Sequence, residues 1–361
     1  MKSSSVGSPS SSPIICASFN QDNRNKSLFC MFTAVGAFNI VEMLFSTNLL
    51  AIVGAGEQVI SGLLIPSLSP RRLCLFNFLT GSTLRELNYL TSVLAVRLNK
   101  KRLIVILQDK AYIYDLNSLA VLETIDTVPN NKGLCAFCPG SEGCYLALPA
   151  STSKGSVLIY NTVELQSVCQ IDAHRSPLAG ITFSSTGTYL ATASEQGTII
   201  RVHLVSQATE SYSVRRGTYP STIYSLSFGP CLEFPEFLVA TSSSGSLHTF
   251  SLGQAIKQRR KPSGVIGSLI PDTLSDSFDQ TFHHILHNAA LAGVKAMLGS
   301  TMLTVLHVPQ ELLVFGEASI FIISHNGYFR EYTLKITELN EFSWSLEREI
   351  NLLDNILNEP F

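Results

Sequence analysis

The chain has 361 residues, 45% of them hydrophobic and only 14% charged, with a formal net charge of −2. A chain this apolar folds, and without a basic excess it is excluded from the duplex nucleic-acid binders. No apolar run of 18 residues is free of polar interruption, since 28–55 contains Asn39, Glu42 and Asn48, so a membrane-spanning helix is excluded as well.

From the N-terminus, residues 1–12 are rich in Ser with Pro and Gly and read as a disordered tail. No basic n-region leads into an apolar h-region, so no secretory signal is expected. The eight cysteines then read as reduced packing residues of a cytosolic protein rather than a disulfide framework.

One unit then keeps returning: a short apolar strand, a small polar turn, and a second strand with β-branched or aromatic residues. It is clearest at 147–161 (ALPASTSKGSVLIYN), 191–204 (ATASEQGTIIRVHL) and 240–252 (ATSSSGSLHTFSL). Weaker copies lie at 105–116 and 321–334, and another spans 51–76, stretched by an insertion between Gly56 and Arg71. A repeat of about 40–45 residues with several short strands per unit is the pattern of a propeller blade. One four-stranded blade cannot bury both of its faces alone, and stacking blades in a ring buries them. Six copies are visible, and residues 13–45 are a candidate seventh. The predicted architecture is all-β: a seven-bladed, WD-repeat-like β-propeller over 13–361 as one domain.

Residues 253–300 break the spacing and read as a long loop after the second strand of the sixth unit. The loop begins with Lys257, Arg259, Arg260 and Lys261. Toward its end Phe282, Ile285, Leu286, Ala289 and Met297 share one face at 100° per residue, a modest amphipathic helix interrupted by Gly293. His283, His284 and His287 have helical spacing, yet no Cys, Asp or Glu completes a tetrahedral site, so a solvated cluster is expected and no metal. Cys135, Cys138 and Cys144 contain one C-x-x-C without a partner pair and read as packing. No nucleophile elbow, P-loop or dinucleotide fingerprint occurs, so neither an enzyme, a cofactor nor a small-molecule substrate is expected.

The most informative stretch is 211–228, SYSVRRGTYPSTIYSLSF. In an extended chain adjacent side chains point to opposite sides, so Arg215 and Arg216 would serve two pockets. The planar guanidinium suits phosphate because it donates two parallel hydrogen bonds. Two solvated arginines on a rim loop are the alternative that the pattern alone leaves open.

The Arg215-Arg216-Gly217 sequence resembles the signature of the PROPPIN family, the WIPI-like propellers of autophagy. The pair Ala173-His174, the run ATASEQGTIIRV, the strand YSLSF and the Ser-rich turn 242–248 are similar to the family as well. So is 346–352, which resembles its closing strand. The resemblance implies binding of phosphatidylinositol 3-phosphate and phosphatidylinositol 3,5-bisphosphate at two sites. The first would combine Arg215 with His174, Ser194, Thr198 and Arg201. The second would combine Arg216 with Ser242, Ser244, Ser246 and His248. It also implies that the loop 253–300 dips into the bilayer, with Phe282, Ile285, Leu286 and Met297 as the apolar wedge, the two-signal logic of peripheral anchoring. The partners implied are phosphoinositide membranes and autophagy proteins, including the family's lipid-transfer partner. The place implied is the cytoplasmic side of preautophagosomal and vacuolar or endosomal membranes. Blades two and three, with Arg71-Arg72 and Lys100-Lys101-Arg102, are the expected protein-binding surface.

This chain departs from the family's pattern in four places: Val214 before the arginine pair, an atypical first blade at 24–37, an insertion at 59–67, and an unrecognisable strand within 296–320. The rival reading is a protein-interaction propeller with no lipid role.

Overall fold

The computed structural model describes residues 17–19, 29–31, 38–45, 47–56, 58–60, 63–65, 68–140, 144–229, 237–252, 304–307, 317–324, 327–336 and 342–352. Among them, each repeat read from the sequence is an antiparallel hairpin within a sheet. The hairpin β4 (Leu49–Gly54) and β7 (Arg72–Asn77) is flanked by β3 (Phe38–Met43) and β8 (Ser82–Asn88). The next sheet runs β9 (Ala95–Leu98), β10 (Arg102–Ile106), β11 (Lys110–Asp115), β12 (Val121–Asp126). It is followed by β13 (Ala136–Phe137), β14 (Tyr145–Pro149), β15 (Gly155–Asn161) and β16 (Gln166–His174). Then come β17 (Leu178–Phe183), β18 (Tyr189–Ser194), β19 (Ile199–Leu204) and β20 (Gln207–Arg215). The sixth unit shows three strands, β21 (Ile223–Phe228), β22 (Phe237–Ser242) and β23 (Leu247–Ser251). The last sheet is β24 (Thr304–His307), β25 (Glu317–Ser324), β26 (Tyr328–Ile336) and β27 (Phe342–Asn351).

Two smaller pairs complete the described strands. β1 (Ala17–Phe19) pairs with β2 (Phe29–Met31), and β5 (Gln58–Ile60) pairs with β6 (Leu63–Ile65) as a separate hairpin within the insertion. The candidate seventh unit therefore needs a new boundary, because Phe38–Met43 joins the following sheet by pairing with β4. The loop at 253 follows the third strand of its sheet rather than the second, since β21 adds an inner strand to the hairpin. The stretch within 296–320 contributes β24 and the start of β25.

The first strands of the sheets touch in cyclic order: β3 with β9, β9 with β13, β13 with β17, β17 with β21, β21 with β24, β24 with β1, and β1 with β3. The core lies between sheets, as radial stacking requires. Tyr189, Ile200 and Val214 of one sheet pack on Ile223, Leu238 and Phe250 of the next. Val157 and Ile171 pack on Ile181 and Phe183 in the same way, and Leu73 on Leu103 and Val105. The strands are short, β-branched or aromatic, and often buried on both faces; every residue of β18 and β22 is buried.

Residues 1–12 and 253–300, including Phe282, Ile285, Leu286, Met297 and the histidines at 283, 284 and 287, lie outside the described residues. No helix among the described residues is long and apolar enough to cross a membrane.

Candidate functional site

Arg215 is the last residue of β20, opposite Ile199 on β19, and Arg216 opens the link to β21. Their surroundings differ sharply. Arg215 is exposed, and its guanidinium has no hydrogen-bond or ion-pair partner among the described residues. Arg216 is 9% exposed. It donates from Nε to the Gly197 carbonyl, from one terminal nitrogen to the Tyr219 carbonyl, and from the other, at 3.5 Å, to Ser244 Oγ.

On one side of the junction stands a polar chain built from three strands. Arg201 on β19 donates to the Ala173 carbonyl at 2.6 Å and lies 3.1 Å from His174 Nδ1, at the end of β16. A guanidinium has only donors, so His174 Nδ1 accepts and the ring proton sits on Nε2. That nitrogen donates to Thr192 Oγ1 at 2.9 Å, and Thr192 in turn lies 3.2 Å from His203 Nε2. Burial, then the Arg201 charge, pushes His174 down to about 4. His203 is also pushed to about 4, by burial first and then by His174 and Arg201. Both rings are therefore neutral at neutral pH, and the positive charge of the cluster stays on Arg201. Ser194 is buried at the end of β18, and Thr198, half-buried, carries its carbonyl toward the amides of Arg216 and Gly217.

On the other side runs a row of hydroxyls. Ser242 Oγ lies 2.8 Å from Ser244 Oγ, Ser244 2.7 Å from Ser246, and Ser246 2.6 Å from His248 Nε2. Burial and the nearby Arg216 charge lower His248 to about 4. Burial also lowers the Arg216 pKa, which leaves the group cationic near neutral pH.

Two glycines make the geometry feasible. A Cβ on Gly155 would lie 2.5 Å from His174 Cβ, so the close approach of β15 to β16 at this point admits no side chain. Gly197 has φ of +60°, and a Cβ there would lie 1.8 Å from the Ser221 carbonyl. Gly217, by contrast, has nothing within 4 Å of the position a Cβ would take. The space beside the arginine pair is open, and the fold itself does not require glycine at this point.

Arg201 meets His174, and Arg216 meets the Ser242–His248 row. Arg215 is joined to neither cluster by a hydrogen bond among the described residues. Thr192 and His203 belong to the first cluster and were missed from sequence. The signal was present, since Arg201 and His203 are two apart on one strand and share a face. At the expected protein-binding surface, Arg72 pairs with Glu86 at 3.4 Å within its own sheet, whereas Arg102 pairs with Asp115 at 3.4 Å and also donates from Nε to the Thr162 carbonyl, just past β15 of the next sheet, at 2.9 Å. Cys135 and Cys138 are buried free thiols, and burial raises both, Cys138 to about 11, which suits packing and opposes thiolate chemistry. No group of three or more His, Cys, Asp or Glu among the described residues is arranged to hold a metal.

Comparisons with known proteins bear on the family and the fold. The PROPPIN family model matches residues 13–271. Autophagy-related protein 18b of Arabidopsis thaliana is 57% identical over 359 residues, covering 94% of this chain and 96% of that protein. Autophagy-related protein 18 of Aspergillus oryzae is 39% identical over 305 residues, covering 75% of this chain and 70% of its own length. Among solved structures, Kluyveromyces lactis Hsv2 with a complete loop 6CD superposes with a TM-score of 0.69 at 17% identity, over 95% of this chain and 100% of that one. A complex of KlAtg21 with the coiled coil of AgAtg16 gives 0.62 at 21% identity, over 87% and 84%. With its all-β sheets, its Arg-Arg-Gly junction and this degree of identity to autophagy-related proteins, the chain belongs to the PROPPIN family of β-propellers.

Proposed function

We propose that this protein is a non-enzymatic peripheral membrane effector of autophagy. It recognises phosphatidylinositol 3-phosphate and phosphatidylinositol 3,5-bisphosphate through two rim sites and brings autophagy factors to that membrane. One observation carries the reading: two adjacent arginines stand at a junction flanked by two separate polar clusters, with open space left by Gly217. An inositol phosphate offers many oxygen acceptors, and guanidinium, hydroxyl and imidazole groups offer matching donors.

The first site takes the headgroup between Arg215 and the set His174, Ser194, Thr198 and Arg201. The second takes it between Arg216 and Ser242, Ser244, Ser246 and His248. Here the long contact from Arg216 to Ser244 is the one a phosphate oxygen replaces, while the bonds to the two carbonyls keep the guanidinium plane fixed. Residues 253–300 add the apolar wedge of Phe282, Ile285, Leu286 and Met297. The protein acts from the cytoplasm at preautophagosomal and vacuolar or endosomal membranes. Its protein partners include the family's lipid-transfer partner and, given that KlAtg21 was solved with a coiled coil of AgAtg16, a coiled-coil autophagy protein.

The test is sedimentation with liposomes containing or lacking either lipid, beside a variant carrying Arg215→Thr and Arg216→Thr. Binding should require both the 3-phosphate and the arginines, and the variant should lose at least tenfold in affinity, about the contribution of one charge-assisted hydrogen bond. Equal binding by the two proteins rejects the sites. No binding by the folded parent protein leaves the protein-interaction scaffold as the function.

A further inference from the structure

The link between β20 and β21 carries a feature that neither headgroup site uses. Tyr219 is 83% exposed, and its hydroxyl has no hydrogen-bond partner among the described residues. Its backbone is held firmly. Arg216 donates to the Tyr219 carbonyl, the Ser221 amide donates to the Gln196 carbonyl at 3.0 Å, and Ser221 Oγ lies 2.9 Å from Ser243 Oγ. The Ser244 amide donates back to Ser221 Oγ at 3.1 Å. The turn is thus fastened on both sides of Tyr219, while the ring projects into solvent.

The other most exposed apolar side chains, Leu79 at 73% and Leu90 at 92%, belong to the turn and exit of the β7–β8 hairpin. Tyr219 alone of this group stands in the link that bears the arginine pair. Four residues before it is Arg215, exposed and unpaired among the described residues. A fixed turn presenting an aromatic ring with a polar tip in the same link as an exposed guanidinium matches the chemistry of the bilayer interface. There the ring reaches the acyl boundary and the hydroxyl stays among the headgroups.

We propose that Tyr219 is a membrane-interface anchor: when the arginines engage an inositol phosphate, its ring enters the headgroup zone of the same anionic bilayer. This rests on the phosphoinositide reading above and adds a contact with lipid other than the headgroup. Because Arg216 holds the Tyr219 carbonyl, the ring keeps a set position relative to the second site. The side chain is 83% exposed, its hydroxyl has no hydrogen-bond partner among the described residues, and the bonds that fasten the turn run through the Tyr219 carbonyl and through Ser221.

The experiment compares the parent protein with Tyr219→Ala and Tyr219→Phe. Each is measured on phosphatidylcholine vesicles with and without phosphatidylinositol 3-phosphate, and against soluble inositol 1,3-bisphosphate. Tyr219→Ala should weaken vesicle binding about fivefold to tenfold, Tyr219→Phe should retain most of it, and all three should bind the soluble headgroup equally. A Tyr219→Trp variant in a Trp344→Phe background should show blue-shifted emission on the vesicles, Trp344 being the one native tryptophan. Parent-like vesicle binding by Tyr219→Ala overturns the anchor while leaving the headgroup sites standing. An equal loss on vesicles and on soluble headgroup also overturns it, because the residue would then shape the site. A parent protein that binds neither probe rejects the lipid reading itself, and the anchor with it.

Discussion

His174 holds an arginine in place. Its Nδ1 is occupied by Arg201 and its Nε2 by Thr192, so in this state it positions the arginine that would meet phosphate. The arrangement requires a neutral ring, because a proton on Nδ1 would face a guanidinium donor. His174, His203 and His248 all have folded values near 4, below the ordinary value of 6.5. For a lowered histidine the unfolded chain binds the extra proton first. The stabilisation is therefore complete above about 6.5 and is lost as pH falls toward 4. The melting temperature should drop by roughly 5–10 °C across that interval. In a His203→Phe variant, which removes one titrating group and keeps the ring volume, the decline should be shallower. Calorimetry of both proteins at several pH values checks this, and parallel curves would exclude His203 as a contributor.

At the scale of elements, the site depends on how closely β15 and β16 approach. Gly155 is the point of contact, and a methyl group there meets His174 Cβ, which is fixed to the backbone. Gly155→Ala should destabilise the protein by about 1–3 kcal/mol in urea unfolding and displace the His174 ring from Arg201. Gly217→Ala serves as the control. With nothing within 4 Å and no positive φ, it should shift stability by about 0.5 kcal/mol or less. If the two substitutions behave alike, close approach at Gly155 does not govern the site. The hairpins themselves are local objects. The turn glycines at 197 and 245 have positive φ and each joins two short apolar strands, which is why the repeat could be read so directly from sequence.

At the scale of the whole molecule, the ring of inner strands closes through β1, which touches β24 on one side and β3 on the other. A propeller avoids exposed sheet edges by closing, and an opened ring offers unpaired strands to other chains. Removing residues 1–37 should lower the melting temperature and cause concentration-dependent association, seen by light scattering. A truncated protein that melts like the full chain and remains monomeric would show that β1 does not hold the ring. Among the described residues β1 pairs with β2 and is the strand that reaches both neighbours.

The sequence by itself determined the strand repeats, the all-β class and the place of Arg215 and Arg216, because hairpin patterns and turn residues express bonds between near neighbours. Only the tertiary structure decided that Phe38–Met43 joins the next sheet, that Thr192 and His203 stand behind His174, and that Tyr219 projects bare from a fastened turn. These facts depend on which sheets stack and which strand of each lies innermost. Such contacts join residues far apart in the chain, and the ring sets them as a whole, so no local pattern encodes them.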